Sequence, residues 1–145
     1  SPATVPERWE LGTLPFESLA GVAAAADYVR TTGFEAVRAH EDRLLARTLD
    51  GLRSIDGVTL HGDAPDRTPT IMFTLAGIHS RDLAALLAEQ EIAVWHGNYY
   101  AYELENHLGL APHGAIRAGF AHYNDEADAG RLIEAVRDIA ASRSG

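Results

Sequence analysis

Thr70-Ile71-Met72-Phe73-Thr74-Leu75 is a six-residue run of β-formers, and Gly77 and then Ser80 follow it within five residues. Ser80 is placed to cap a helix over Arg81–Glu89, and Ile92–Trp95 then reads as a short apolar strand. A strand leading through a turn into a capped helix and back into a strand sets the class of the whole chain. Before it, Val58-Thr59-Leu60 starts a first strand after the Asp56-Gly57 turn, and a polar loop fills Gly62–Pro69. After it, Gly97–Tyr100 is a loop, Ala101–Leu108 a short helix, and Ala115–Tyr123 a further strand. Asn124 then precedes a last helix whose first turn carries Asp125 and Glu126 and whose inner face is Leu132, Ile133, Val136 and Ile139.

The N-terminal third is helical. Residues 1 to 14 are an irregular, proline-bracketed lead-in, and Leu19, Val22, Ala26 and Val29 give helical spacing over Glu17–Arg30. A longer helix over Glu35–Ser54 has Val37, Leu44, Leu45, Leu49 and Leu52 on its apolar side. The order predicts an α+β fold: about four mainly antiparallel strands with helices covering one face. The expected division is 1–33, a lead-in and connecting helix, and 34–145, a small domain.

Composition narrows the chemistry. The 145 residues suit one compact core, and 46% hydrophobic with 23% charged residues is ordinary for a globular protein. A formal net charge of -9 repels phosphate backbones and anionic lipid, arguing against nucleic-acid and membrane-surface partners. No apolar stretch reaches the roughly 18 residues of a membrane span. Ser1-Pro2-Ala3-Thr4 opens no secretory signal, so a cytoplasmic setting is expected. The absence of cysteine excludes disulfides and thiolate nucleophiles from this sequence. All 12 basic residues are arginine, so no lysine amine is available for Schiff-base chemistry. The seven histidines show no ligand spacing, and no metal site is expected.

Three segments carry possible chemistry. Arg117 lies within a strand between Ile116 and Ala118, where a guanidinium suits bidentate capture of a carboxylate. For an isolated arginine, a surface position with its head in water is the plainer reading. Gly97-Asn98-Tyr99-Tyr100-Ala101 offers an amide and two phenols to a pocket, or is a turn whose tyrosines pack on the core. Gly12-Thr13 offers an amide and a hydroxyl shortly before a helix start, which suits a phosphate or a plain loop.

These segments resemble a known family. Trp9-Glu10-Leu11-Gly12-Thr13, with Leu19-Ala20-Gly21-Val22 and Ala26-Asp27-Tyr28 after it, resembles the entry into the C-terminal half of class V aminotransferases. These are the cysteine-desulfurase-like, fold-type I enzymes that use pyridoxal 5'-phosphate. Ile92-Ala93-Val94-Trp95-His96-Gly97-Asn98-Tyr99-Tyr100-Ala101 is similar to their active-site loop, and Ile116-Arg117-Ala118-Gly119-Phe120-Ala121-His122-Tyr123-Asn124 to their closing strand and last-helix start.

The resemblance implies the C-terminal part of such an enzyme, acting on an amino-acid substrate by transferase, lyase or epimerase chemistry. It implies that Arg117 pairs with the substrate carboxylate, and that Asn98, Tyr99 and Tyr100 shape substrate choice. It implies that Gly12 and Thr13 reach the cofactor phosphate of the other subunit in a homodimer. The cofactor lysine would belong to an N-terminal large domain, so the chain alone would hold no catalytic residue and bind no cofactor. Cysteine desulfurases carry a G-H-H-C-A type loop whose cysteine receives sulfur as a persulfide. Tyr100 stands at that cysteine's place, and a phenol cannot do that chemistry, so the resemblance is to a cysteine-free branch. The alternative class is a freestanding α+β ligand-binding or dimerisation module without catalysis. The family reading expects Arg117 at one edge of the sheet, beside the 97–101 loop.

Overall fold

The computed structural model describes residues 4, 5, 7–9 and 12–143. Glu10 and Leu11 of the lead-in motif lie outside the described residues. Two units, Ser1–Ala36 and Val37–Gly145, divide the chain. In the first, a single 3-10 turn at Glu7–Trp9 precedes α1 (Phe16–Thr32). Pro15 stands at the N-cap, where its missing N–H costs nothing, and the chain leaves α1 at Gly33. No residue of α1 is buried, and Phe16, Leu19, Val22, Tyr28 and Val29 are all exposed.

Helix α2 (Phe34–Arg53) turns Leu44, Leu45, Thr48 and Leu52 inward at helical spacing. The buried Thr48 hydroxyl donates to the Leu44 carbonyl at 2.8 Å, so no polar group is stranded there. The second unit continues with β1 (Val58–His61), β2 (Thr70–Leu75), α3 (Ser80–Ala88), β3 (Trp95–Gly97), α4 (Tyr102–His107), β4 (Ala115–Gly119) and α5 (Glu126–Arg143). Gly51 of α2 faces Ile133 of α5 so closely that a Cβ there would lie 2.5 Å from Ile133 Cδ1.

The four strands form one antiparallel sheet in the order β1-β2-β4-β3. Alternation along β2 and β4 sends Ile71, Phe73, Leu75, Ile116 and Ala118 to one face. There they form the core with Leu45 and Leu52 of α2, Leu83 and Leu87 of α3, and Leu132 and Val136 of α5. Fully burying a side chain such as Phe73 or Ile116 contributes about 1.5–3 kcal/mol. The strand pairs His61↔Met72, Met72↔Arg117 and Trp95↔Arg117 put these four side chains in one row on the opposite face.

The structure corrects four details. The third strand is Trp95–Gly97 rather than Ile92–Trp95. The Ile92 N–H is still tied to the Leu87 carbonyl at the end of α3, and Ile92 and Val94 pack on the core before the ladder begins. The fourth strand ends at Gly119 rather than running to Tyr123, because Asn124 folds back over a turn and accepts the Ala121 N–H on its side-chain oxygen. The α3 cap is His79, whose Nδ1 accepts from the Arg81 N–H, while Ser80 donates its hydroxyl to the His113 carbonyl. Finally, Arg117 is not at a sheet edge: β4 lies between β2 and β3.

Candidate functional site

The uncovered face of the sheet carries Arg117. Its guanidinium carbon lies 5.4 Å from the Trp95 ring centroid and 5.0 Å from that of Tyr99. Both distances are within the range of cation–π attraction. The side chain is exposed, and among the described residues it has no ion pair or hydrogen bond. The other arginines that form ion pairs, such as Arg38 with Asp66, spend their charge on neighbouring acids. Arg117 is thus a cation held by rings, with no carboxylate paired to it among the described residues. A groove of about 490 Å³ runs past it, bordered by Thr70, Ala93, Val94, Trp95, Ala118 and Gly119.

The turn that follows β3 places Tyr99. The Ala101 N–H bonds the Asn98 carbonyl at 2.7 Å, and the two residues between have φ of 54° at Tyr99 and 63° at Tyr100. Two successive positive φ values are the conformation that Asn-Gly pairs usually supply. Here tyrosines adopt it, at a steric cost of roughly 1–2 kcal/mol for each such residue. Asn98 helps hold it, since its side-chain oxygen accepts the Tyr100 N–H at 3.1 Å. The consequence is a split pair: Tyr99 turns under Arg117 and donates its hydroxyl to the Ala115 carbonyl, while Tyr100 is 96% exposed. Burial holds the Tyr99 phenol far above its ordinary range, a shift opposed by the Arg117 charge and reinforced by Glu105.

Gly114 closes the back of the turn. Its φ is 63°, and a Cβ on it would lie 2.5 Å from the Cα and carbonyl carbon of Gly97. Only glycine permits that approach between the lead-in to β4 and the end of β3.

Of the residues singled out from the sequence, Arg117 and Tyr99 are in contact, Asn98 is engaged in the turn, and Tyr100 is held out into solvent. Gly12 and Thr13 belong to the first unit, both exposed in a bend ahead of α1, and the Thr13 hydroxyl has no partner among the described residues. Two residues that sequence reasoning missed complete the site. Trp95 ends the apolar run Ile92–Trp95 in the sequence, but the ladder sets it directly opposite Arg117. Glu105, read as part of a short polar helix, is only 8% exposed. Nothing local in the sequence announces either, since Trp95 meets Arg117 only through the β3–β4 register and Glu105 is buried only by where α4 packs. Among the described residues no cluster of three potential metal ligands exists, and no helix is long and apolar enough to cross a membrane.

Comparison with known proteins identifies the setting. The family described as Aminotransferase class-V matches residues 2–132. A probable cysteine desulfurase of Xylella fastidiosa is 35% identical over 136 residues, covering 94% of this chain and 32% of that protein. A probable cysteine desulfurase of Pseudomonas putida is 40% identical over 131 residues, covering 90% of this chain and 32% of its own length. The apo structure of the cysteine desulfurase from Thermococcus onnurineus superposes with a TM-score of 0.89 at 27% identity, over 94% of this chain and 34% of that one. The chain therefore spans about a third of the length of the relatives it matches. With the fold, the loop and the strand that bears Arg117 all lying inside the matched region, the chain belongs to the class V aminotransferase family.

Proposed function

We propose that this chain is the C-terminal portion of a pyridoxal-phosphate enzyme that acts on an amino acid, and that Arg117 binds the substrate carboxylate. The observation that carries this reading is the unpaired guanidinium on the open face of the sheet, fixed between Trp95 and Tyr99 and bordering a groove. Rings on its flanks restrict its rotamers without using its N–H donors, which leaves the fork free for two charge-assisted bonds to a carboxylate. Tyr99, anchored through its hydroxyl to Ala115, keeps the fork from swinging into bulk water. Tyr100, extended from a turn that strains to present it, reaches toward the rest of the substrate.

The residues present fit a shared cofactor site rather than a complete one. Gly12 and Thr13 supply an exposed backbone and a hydroxyl with no partner among the described residues, which would hold the cofactor phosphate across a homodimer. The sequence has no lysine, so the residue that bonds the cofactor lies outside these 145 residues, and the chain alone is inactive. When bound, the cofactor supplies an electron sink for breaking a bond at the substrate's Cα or Cβ. The exposed apolar residues of α1 suit burial against an N-terminal large domain. A cytoplasmic setting is part of the same reading. The sequence has no cysteine and Tyr100 occupies the loop, so transfer of sulfur through a loop persulfide is not part of it.

The test is Arg117→Ala and Arg117→Lys in the full-length enzyme. Substrate affinity should fall about tenfold or more for alanine, from the loss of bonds of roughly 1.5–3 kcal/mol, and less for lysine. An unchanged apparent affinity removes the assignment.

A further inference from the structure

Glu105 is unexplained by carboxylate binding at Arg117. It lies on α4, is 8% exposed, and its carboxylate makes no hydrogen bond or ion pair with any described residue. No buried side-chain oxygen is stranded among the described residues, so the carboxylate keeps access to solvent through the space beside it, where a cation can reach it. The space beside it is a cavity of about 500 Å³, also lined by Trp95, Asn98, Tyr99, Tyr100 and Tyr102. Four aromatic residues bordering one carboxylate have the composition of an organic-cation site: ring faces attract the spread positive charge, and the acid neutralises it.

The cavity adjoins the Arg117 groove. Trp95 borders both, and Tyr99, which carries the Arg117 guanidinium on its ring, borders the Glu105 cavity. The Tyr99 phenol feels both charges, Arg117 favouring its ionisation and Glu105 opposing it. A fixed cation and a fixed anion therefore flank one tyrosine. A ligand laid across that tyrosine meets opposite charge at each end when it is itself dipolar, negative toward Arg117 and positive toward Glu105.

We propose that the cavity is a subsite for the cationic side chain of a basic amino-acid substrate, an ammonium or guanidinium group seated against Trp95, Tyr100 and Tyr102 with Glu105 as its counter-charge. This rests on the carboxylate role of Arg117 for the orientation of the substrate, but the cation subsite stands on its own residues. It converts an open choice of amino acid into one class, and it assigns specificity to Glu105.

Three probes separate the two ideas on the 145-residue chain labelled with nitrogen-15. n-Butylamine carries only the cation, L-norleucine only the α-amino-acid head, and L-lysine both. Butylamine should shift the Trp95 indole and the amides of residues 98–105. Glu105→Gln should weaken that response about tenfold, the loss of one charge-assisted contact, while Glu105→Asp retains most of it. Norleucine should shift the amides around Arg117 equally in wild type and Glu105→Gln, and lysine should bind more tightly than either. Butylamine that leaves residues 98–105 unmoved, or moves them equally in Glu105→Gln with the rest of the spectrum intact, overturns the subsite while norleucine still reports on Arg117. Butylamine binding with norleucine silent upholds the cation subsite and removes the carboxylate role of Arg117.

Discussion

The Tyr99 hydroxyl donates to the carbonyl of Ala115, two residues before the Arg117 whose guanidinium lies on the Tyr99 ring. One side chain is thus fastened at its tip to the strand whose arginine it supports along its face. Tyr99→Phe keeps the ring and deletes the fastening, leaving the buried Ala115 oxygen short of a donor. It should cost about 1–2 kcal/mol of stability in urea denaturation. Tyr99→Leu should cost more, and should also loosen the proposed carboxylate site in the full-length enzyme.

Tyr100 has the opposite signature. It packs on nothing to compensate for a φ of 63°, so Tyr100→Gly relieves the left-handed strain and gives back part of it in unfolded-chain entropy. The variant should be more stable by about 0.5–1 kcal/mol, read from the denaturation midpoint. The full-length enzyme should lose substrate affinity at the same time. A variant less stable than wild type would show that the turn is not strained.

Gly114→Ala combines a positive φ with a Cβ that would lie 2.5 Å from the Gly97 backbone, and backbone cannot rotate away as a side chain does. A loss of at least about 2 kcal/mol is expected, with the amide signals of β3 and the 98–101 turn displaced most.

Acid should act through His61. Its pKa is lowered below the ordinary value by burial, and its Nε2 lies 3.0 Å from Thr74 Oγ1. The unfolded chain then binds more protons than the native one around and below the ordinary histidine pKa. Stability accordingly falls as pH drops through that value toward the lower native one. His61→Gln should flatten the stability profile between neutral and mildly acidic pH, and an unchanged slope would assign the dependence elsewhere.

The exposed Phe16, Leu19, Val22, Tyr28 and Val29 predict that the 145-residue chain self-associates as concentration rises, measurable by sedimentation. A chain that stays monomeric at high concentration counts against burial of α1 by a large domain.

The helices and the β2 strand were legible because their burial follows one element's own period: Leu44, Leu45 and Leu52 along α2, and Ile71, Phe73 and Leu75 along β2. The third strand was misplaced because Ile92 and Val94 are apolar for the sake of the core and the end of α3, not because they pair in the ladder. Arg117 stood out as a charge between apolar strand neighbours. Its companion Trp95 sits 22 positions earlier and meets it only through the β3–β4 register, which no local pattern encodes. Nothing marks Glu105 in a helix four of whose six residues are polar or charged, and its burial depends on how α4 settles beside the 98–101 turn.

The period-two rhythm of the strands also separates two kinds of evolutionary freedom. Substitutions at 71, 73, 116 and 118 register in the scaffold, whereas those at 72, 95 and 117 register in whatever the bare side meets. A deep mutational scan from Ile116 through Ala118 should alternate residue by residue between damage to folding and damage to recognition. Selection could re-letter the second set for a new ligand while the first stays untouched.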